Sequence, residues 1–311
     1  MNDLPRLVVV LGPTASGKSA LGIWLAERLG GEILVCDSTQ VYRHFDIGTA
    51  KVPPAEQRGI PHHLVDLVEP QEIFTAGEYR RRAIEVLDDM RLRGKLPVLT
   101  AGTGLYLRAL LEGLADAPTR SDELRERLRR RSRLRGSEYL HRVLARVDRE
   151  AASRIAPRDA QKIIRAIEIR LLAGRPVGEI HRTGRVGLEG YDIRKIGLLP
   201  PRATLYSRIN ARVISMIESG WIEEVRGLIA CNLPPDAKPF QFIGYSQLRA
   251  HLEGRITENA AVKEIQQATR RFAKRQLTWF RNEPQVHWLT GFGDEPAVQS
   301  AALDLAQSTK P

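Results

Sequence analysis

The stretch Gly12-Pro13-Thr14-Ala15-Ser16-Gly17-Lys18-Ser19 has the spacing G-x-x-x-x-G-K-[ST], and it decides the predicted fold. An apolar run at 7–11 precedes it, and a helical pattern at 19–29 follows it. Glycines let the backbone curl so that its N–H groups point at one anion, and the helix adds the positive end of its dipole. The stretch therefore predicts a phosphate-binding loop in which Lys18 supplies a positive charge and Ser19 a hydroxyl for Mg²⁺.

Further apolar runs predict further strands of a parallel sheet. The run at 33–36 ends at Asp37, and the run at 96–100 is followed by Gly102-Thr103-Gly104. In open α/β sheets the ligand site lies beyond the C-terminal ends of the strands. We therefore expect the phosphate loop, Asp37 and the Gly-Thr-Gly turn at one edge of the sheet. Strands are also expected at 62–68, 191–199 and 286–289, and the weakly patterned tail from Thr290 is expected to fray.

The composition shifts after Gly113, and residues 119–182 are almost wholly helical in pattern and rich in arginine. We predict an α/β fold with a P-loop-type parallel sheet flanked by helices and an inserted all-helical domain. The core domain covers 1–116 and 191–311, and the insertion covers 117–190. Eight arginines lie in 120–135, which fits either a solvated helical face or a face turned to nucleic acid.

The chain has 311 residues and a formal net charge of +11. This charge favours a polyanionic partner, nucleic acid before membrane, although an arginine-rich surface would also explain it. Two cysteines, Cys36 and Cys231, make neither a disulfide framework nor a zinc site. The first apolar run is too short for a signal peptide, and no stretch is long enough for a membrane helix. We expect a cytoplasmic protein with no membrane partner and, without a heptad seam, a monomer.

The residues alone leave the reaction open. A phosphate loop serves kinases, nucleotide hydrolases and other phosphate-handling enzymes. Asp37 could hold Mg²⁺ as in nucleotide hydrolases, act as a general base, or only cap the next turn. Near the C-terminus, Arg270, Arg271, Lys274 and Arg275 interleave with aromatic residues on one helical pattern. That pattern fits phosphate contact with base stacking, or an amphipathic helix with its aromatic residues in the core.

Eight ordered blocks between about Val8 and Trp288 resemble the tRNA dimethylallyltransferases, also called tRNA isopentenyltransferases. The first block is the phosphate loop. The most specific blocks are the next two, which begin at Asp37 and Asp46. The others are Asp37-Ser38-Thr39-Gln40-Val41-Tyr42, Asp46-Ile47-Gly48-Thr49-Ala50-Lys51, His62-His63-Leu64-Val65-Asp66, Gly102-Thr103-Gly104-Leu105-Tyr106, Arg165-Ala166-Ile167-Glu168, Ile243-Gly244-Tyr245 and Ala273-Lys274-Arg275-Gln276-Leu277-Thr278-Trp279-Phe280-Arg281.

The resemblance implies transfer of a dimethylallyl group from dimethylallyl pyrophosphate to the exocyclic amino group of an adenosine in tRNA. The target lies just 3′ of the anticodon, in tRNAs that read codons beginning with U. The loop would then hold the donor's pyrophosphate, with Mg²⁺ as cofactor. Two other interpretations stay open: a kinase with a helical lid, and an RNA-binding module with a vestigial phosphate loop.

The resemblance also implies roles for individual residues. Asp37 matches the general base, Thr103 a contact to the target adenosine, and Lys18 and Arg212 stabilise the leaving pyrophosphate, with Arg208 as an additional helper. Positions that match tRNA-contacting segments are Asp37, Ser38, Thr39, Gln40, Thr103, Arg125, Gln161, Lys162, Ile163, Ile164, Arg165, Gln241, Phe242, Ile243, Gly244, Tyr245, Ser246, Lys274, Arg275, Gln276, Leu277, Thr278, Trp279, Phe280 and Arg281. Among the departures, Lys162 replaces a usual arginine.

Overall fold

A computed structural model describes residues 4–182, 184–231, 233–234 and 237–308 of the chain. Within these residues lies a six-stranded sheet in the order β3-β2-β4-β1-β5-β6, and all of its pairings are parallel. The strands are β1 (Arg6–Leu11), β2 (Gly31–Cys36), β3 (His62–His63), β4 (Leu96–Ala101), β5 (Asp192–Leu198) and β6 (Val286–Leu289). The predicted parallel α/β sheet is confirmed.

The register of the three central strands positions the site. β4 lies between β1 and β2, and its Ala101 pairs with both Leu11 and Cys36. β1 is buried along Leu7 to Leu11, as expected of a parallel strand covered on both faces. Because the three strands end at the same level, the segments that follow them leave the same edge of the sheet.

Helices flank the sheet and continue beyond it. No helix in the described ranges is long and apolar enough to cross a membrane. In chain order the helices are α1 (Lys18–Leu29), α2 (Ala76–Leu92), α3 (Gly104–Leu111), α4 (Asp122–Arg135), α5 (Ser137–Val147), α6 (Arg149–Arg154), α7 (Ala160–Ala173), α8 (Val177–Arg182), α9 (Arg202–Glu218), α10 (Trp221–Ala230), α11 (Tyr245–Leu252), α12 (Glu258–Phe280) and α13 (Pro296–Gln307).

For residues 290–308, the expectation that the tail frays is wrong. Residues 291–293 are buried, and α13 packs against α1. Val298, Ala302 and Ala306 of α13 belong to the same buried cluster as Leu21 of α1. These three small or apolar residues recur every four positions, which is the signal of a buried helical face.

The predicted strand at 62–68 is also wrong in extent. Only His62 and His63 pair with β2. Leu64 and Asp66 then adopt positive φ values of 68° and 51°, which a continuous strand does not allow. The segment after β3 is therefore a sharply turning loop that returns toward the site.

A second compact unit spans Leu111–Leu188, whereas the sequence placed it at 117–190. It contains α4 to α8 around its own apolar core, which includes Leu140, Leu144, Ile163 and Ile167. The amide of Leu188 donates to the Leu111 carbonyl, so the two ends of the unit pair with each other. The predicted bounds of 117–190 rest on the helical pattern alone. The backbone pairing of residues 111 and 188 has no helical pattern, so the sequence did not reveal it.

Candidate active site

Three strand ends bring the predicted site residues together. β1 leads into the phosphate loop, Gly12–Ser19, β2 into Asp37, and β4 into the Gly102-Thr103-Gly104 turn. The amides of Gly102 and Thr103 both donate to the Cys36 carbonyl at 3.0 Å, which fixes this turn beside Asp37. The predicted convergence on one edge of the sheet is confirmed.

The phosphate loop is held by a segment from the other end of the chain. Gly17 has a φ of 85°, and a Cβ built on it would stand 2.7 Å from the Gly293 nitrogen. The Gly293 amide donates to the Ser16 carbonyl at 2.9 Å. Position 17 is therefore restricted to glycine both by its backbone conformation and by close packing.

The phosphate loop contains one partly buried cation, Lys18, and a second one, Arg212 of α9, lies beside it. Burial lowers the pKa of Lys18 from 10.5 to about 8; the nearby Asp37 opposes this shift and Arg212 adds to it. Burial also lowers the pKa of Arg212, again opposed by Asp37. Lys18 Nζ donates to the Pro13 carbonyl at 2.8 Å, and Arg212 Nη1 lies 3.5 Å from Thr14 Oγ1. A site that disfavours its own positive charges is stabilised by an anionic ligand.

Arg208 lies one turn before Arg212 on α9, but its charge is engaged elsewhere. Its guanidinium donates to both carboxylate oxygens of Asp294, at 2.7 and 3.0 Å, and stacks 3.8 Å from the centre of the Phe292 ring. Arg208 therefore reaches an anion in the loop only by giving up this pair. Asp294 was not predicted from the sequence, because the tail carried no recognisable motif.

Asp37 is oriented by its own turn. Its Oδ1 accepts hydrogen bonds from the Thr39 amide at 2.8 Å and from Thr39 Oγ1 at 2.6 Å. Its Oδ2 lies against Gly102, where a Cβ would stand 2.6 Å away. Oδ1 is thus fixed by Thr39, and Oδ2 lies beside the Gly102-Thr103-Gly104 turn.

Thr103 is bonded to the segment that carries Asp37. Its Oγ1 accepts from the Ser38 amide at 2.9 Å and donates to Ser38 Oγ at 3.3 Å. The Thr103 side chain is half-buried. It therefore fixes the backbone after Asp37, and its contact to an adenosine stays a prediction.

The phosphate loop, Asp37, Gly102, Arg208 and Arg212 contribute to the lining of one cavity of about 960 Å³. Lys18, Asp37 and Arg212 form part of its wall. Another part is apolar and comprises Ile33, Val35, Ile47, Val52 and Val65. The cavity thus offers a cationic region for an anion and an apolar region for a hydrocarbon group.

The residues fit Mg²⁺ only as an ion that arrives with phosphates. Ser19 is exposed and lines the cavity. Among the described residues, no group of three or more His, Cys, Asp or Glu side chains is arranged to hold a metal. Mg²⁺ is commonly bound by one or two protein oxygens together with substrate phosphates and waters. Ser19 therefore fits as a single protein ligand.

The outer face of α12 is basic and carries a half-exposed tryptophan. A groove of about 500 Å³ on this face is lined by Arg271, Lys274, Arg275, Thr278, Trp279 and Asn282. Trp279 packs directly over Gly104, where a Cβ would stand 2.1 Å from the ring. The groove therefore adjoins the turn that carries Thr103.

Several predicted tRNA-contact side chains are buried, which corrects the prediction for them. They belong to apolar cores or to internal hydrogen bonds, so their side chains are not exposed for contact with RNA. They are Ile163, Ile164, Tyr245, Gln276 and Phe280, with exposed fractions of 0, 7, 0, 6 and 0%. Their exposed neighbours remain available, namely Gln161, Lys162, Gln241, Lys274, Arg275, Thr278, Trp279 and Arg281.

Tyr245 has a structural partner that the sequence did not reveal. Its hydroxyl donates to Glu224 at 2.6 Å, and the same carboxylate accepts from the amides of Asp46 and Ile47 at 3.0 and 2.7 Å. Glu224 thereby holds the loop that contributes Ile47 to the cavity. No local motif marks this glutamate, because Asp46 and Ile47 lie 178 and 177 residues before it in the chain.

Arg125 and Arg165 also have a structural role. Both bind the buried carboxylate of Glu168, which further accepts from the Ser121 amide. Burial raises the pKa of Glu168, but hydrogen bonds from Arg125 and Arg165 outweigh it and hold the pKa at about 2. Arg125 therefore joins α4 to α7, whereas Arg165 lies on the same helix as Glu168 and also donates to the Pro118 carbonyl at 3.1 Å.

Replacing Glu168 by alanine is expected to lower the free energy of unfolding of the helical unit by about 3 kcal/mol, because it leaves two arginines without their carboxylate. Chemical denaturation at neutral pH measures this. Glu126, an exposed α4 residue paired with Arg133, is the matched control, and Glu126→Ala should change stability by less than about 1 kcal/mol.

The hydrogen bonds of Glu168 with Arg125 and Arg165 also predict how the stability of the helical unit depends on pH. The folded pKa of Glu168, about 2, lies below its ordinary value of 4.5. Its stabilisation is therefore complete above pH 4.5 and is lost as the pH falls toward 2. The gap in stability between the wild type and Glu168→Ala should narrow over that interval. A gap that stays constant would show that the carboxylate titrates normally.

Comparisons with known proteins give one consistent result. A family model described as IPP transferase matches residues 40–283. A tRNA dimethylallyltransferase from Koribacter versatilis (strain Ellin345) is 52% identical over 309 residues, covering 99% of this chain and 100% of that protein. Another from Solibacter usitatus (strain Ellin6076) is 49% identical over 298 residues, covering 96% of this chain and 97% of that protein.

Solved structures agree with the sequence relatives. The full-length tRNA isopentenylpyrophosphate transferase of Bacillus halodurans superposes with a TM-score of 0.70 at 36% identity, covering 97% of this chain and 94% of that one. A eukaryotic dimethylallyltransferase acting on tRNA superposes with a TM-score of 0.79 at 25% identity, covering 97% and 75%. The shared fold includes the sheet and the helices around it.

Proposed function

This chain belongs to the IPP transferase family, and its curated relatives are tRNA dimethylallyltransferases. From this premise we propose which part of the cavity binds the prenyl donor and which part faces the acceptor. The chain is a prenyltransferase that acts on tRNA. The donor is dimethylallyl pyrophosphate. The acceptor is the exocyclic amino group of the adenosine just 3′ of the anticodon, in tRNAs that read codons beginning with U.

The observation that carries this proposal is the meeting of three strand ends at one cavity. The phosphate loop with Lys18 and Arg212 accommodates the anionic half of the donor, and the apolar wall accommodates the hydrocarbon half. Asp37 and Thr103 stand at the neighbouring strand ends, bonded together through Ser38. Donor and acceptor therefore approach each other along one edge of the sheet.

The chemical step is a substitution at C1 of the dimethylallyl group. The adenosine N6 forms a bond to C1 as the bond from C1 to the bridging pyrophosphate oxygen breaks. N6 loses a proton, which the Asp37 carboxylate accepts. An aromatic amine is a weak nucleophile, so a base within reach favours the attack.

Negative charge grows on pyrophosphate as it leaves. Lys18, Arg212 and the amides of the phosphate loop stabilise that charge, because they are fixed before the reaction begins. Ser19 would hold a Mg²⁺ that arrives with the phosphates, and the ion would supply further charge neutralisation at the leaving group. Arg208 adds to this when it leaves Asp294.

The acceptor base must leave the stacked anticodon loop, which costs a few kcal/mol. The exposed cations of α12 and of the arginine-rich α4 bind the RNA backbone, and Thr103 with residues 38–40 contacts the extruded adenosine. Lys274 and Arg275 are exposed on the groove, and Trp279 provides a ring for stacking. We propose that the enzyme acts as a monomer in the cytoplasm.

One reaction mixture tests the function. The protein is incubated with Mg²⁺, dimethylallyl pyrophosphate and unmodified tRNA, and the digested tRNA is examined by mass for a prenylated adenosine. We expect one prenyl group at the position 3′ of the anticodon. In a parallel mixture that contains ATP, transfer of phosphate from ATP with no effect of the prenyl donor would indicate a kinase. Salt-dependent tRNA binding without turnover would indicate an RNA-binding module.

Neutralising the α12 groove tests the docking face. Lys274→Gln with Arg275→Gln should weaken tRNA binding and reduce the slope of log K against log salt by about 1 to 2 units, because each phosphate contact releases a counterion. Binding is measured across a salt series. Lys263, exposed near the start of the same helix, is the control, and Lys263→Gln should leave the slope unchanged. An unchanged slope in the double variant would return α12 to a purely structural role.

A further inference from the structure

One buried amide joins the two turns that flank the reaction. Gln276 lies in the second half of α12 and is only 6% exposed. Its Oε1 accepts from the Thr14 amide of the phosphate loop at 2.8 Å, and its Nε2 donates to the Gly102 carbonyl at 2.8 Å. These two backbone groups belong to the loop after β1 and to the turn after β4.

The chemistry of these partners requires an amide. Thr14 offers a donor and Gly102 an acceptor, so the residue between them must accept at one end and donate at the other. A leucine would leave both backbone groups without a partner in a buried place. A carboxylate would accept from Thr14 but face the Gly102 carbonyl with a second acceptor.

The bond to Thr14 extends to a catalytic cation. Thr14 Oγ1 lies 3.5 Å from Arg212 Nη1, and Gly102 lies against Asp37 Oδ2. Gln276 thus touches the neighbours of Arg212 on one side and of Asp37 on the other. Lys274 and Arg275, the two preceding residues, point out to the groove on the same helix.

We propose that Gln276 is a positioning residue that fixes the separation of the phosphate loop from the Gly102-Thr103-Gly104 turn, and hence of donor from acceptor. This inference rests on the functions proposed above for the loop and the turn. It also assigns the Thr14 amide to Gln276, so the pyrophosphate is held by the later amides of the loop. The residue acts through its neighbours and touches neither substrate.

Two variants test the proposal. Gln276→Leu removes both hydrogen bonds, and it should lower kcat by about 10- to 100-fold, because small displacements of reacting groups are enough for that effect. The tRNA Kd should stay within about 2-fold of the wild type, because Lys274, Arg275 and the other groove residues are unchanged. Gln266 is the matched control: it lies on the same helix and donates to the Asn210 carbonyl of α9. Gln266→Leu should leave kcat unchanged.

Gln276→Glu gives a readout that a structural role would not move. A protonated carboxyl group donates to Gly102, and an ionised one does not. The ratio of variant to wild-type kcat should therefore rise as the pH falls from about 9 to about 5.5. The charged groups that face this position are Lys18 from the loop, Asp37 from the end of β2 and Arg212 from α9. Burial and Asp37 raise the pKa of the introduced carboxyl, while the two cations lower it.

The outcomes separate the two hypotheses. A wild-type protein that makes no prenylated adenosine overturns the proposed function, whatever the variants do. If the wild type is active, a constant ratio for Gln276→Glu across this pH range overturns the positioning role. Equal losses of kcat in Gln276→Leu and Gln266→Leu would also overturn it. If Gln276→Leu does not fold, the pH series of Gln276→Glu decides alone.

Discussion

Replacing Asp37 by asparagine lowers kcat by about 10³-fold and leaves the tRNA Kd unchanged, if Asp37 is the base that accepts the N6 proton; positioned bases contribute about 10²- to 10⁴-fold. Asparagine keeps the shape of the side chain, and its carbonyl oxygen can still accept from the Thr39 amide and hydroxyl. The turn should therefore persist while the base is lost. Single-turnover rates with saturating donor measure the effect, and filter binding measures the tRNA affinity.

Two further observations separate the roles of Asp37. Thr39→Val removes one hydrogen bond to Oδ1 but keeps the carboxylate, so its loss in kcat should be less than about 10-fold. If activity of Asp37→Asn returned at high Mg²⁺, the carboxylate would hold the metal instead. If tRNA binding and rate fell together, Asp37 would be a structural cap of its turn.

Replacing Lys18 by methionine is expected to lower kcat/KM for the prenyl donor by about 10²- to 10³-fold, because a fixed cation at the leaving pyrophosphate is lost. Methionine has a similar length and no charge. The tRNA Kd should not change, since Lys18 lies in the cavity and not on the α12 groove. Initial rates over a range of donor concentrations measure the effect.

Lys18 also predicts how donor capture depends on pH. The free site holds the pKa of Lys18 at about 8, and only the protonated amine attracts pyrophosphate. For the wild type, kcat/KM for the donor should therefore fall above pH 8. Lys18→Arg keeps its charge throughout, so it should not show that fall. A wild-type profile that is flat through this range would mean that Lys18 does not contact the pyrophosphate.

The cavity that we propose as the donor site could be predicted from the sequence, because its residues follow a general rule of topology. The loop, Asp37 and Thr103 each come directly after an apolar run, and parallel strands end at a common edge. The register of β1, β4 and β2 matches that rule closely. The order of apolar runs is therefore enough to place Lys18 beside Asp37, whereas the hydrogen bonds of these two side chains depend on loop geometry that no sequence pattern specifies.

Residues whose partners are distant in sequence were assigned incorrectly or missed. Gln276 matched an RNA-contacting segment, yet it turns inward to Thr14, 262 residues away. Ile163 and Ile164 also lie in such a segment, but the apolar core of the helical unit buries them. A contiguous sequence motif does not show which of its residues lie on the exposed face of a helix and which lie on the buried face. Periodicity detects the buried face only when the polar face is uninterrupted.

The contact between Gly293 and Ser16 has a consequence for synthesis. A ribosome releases the first strand and its loop long before it reaches residue 293, and chains fold progressively as they emerge. Until then the loop lacks the amide that bonds to the Ser16 carbonyl and the backbone that packs on Gly17. The nascent protein therefore carries its most recognisable motif from the start but completes it among its last steps. The proposed donor site is therefore complete only after the α12 groove has already been synthesised.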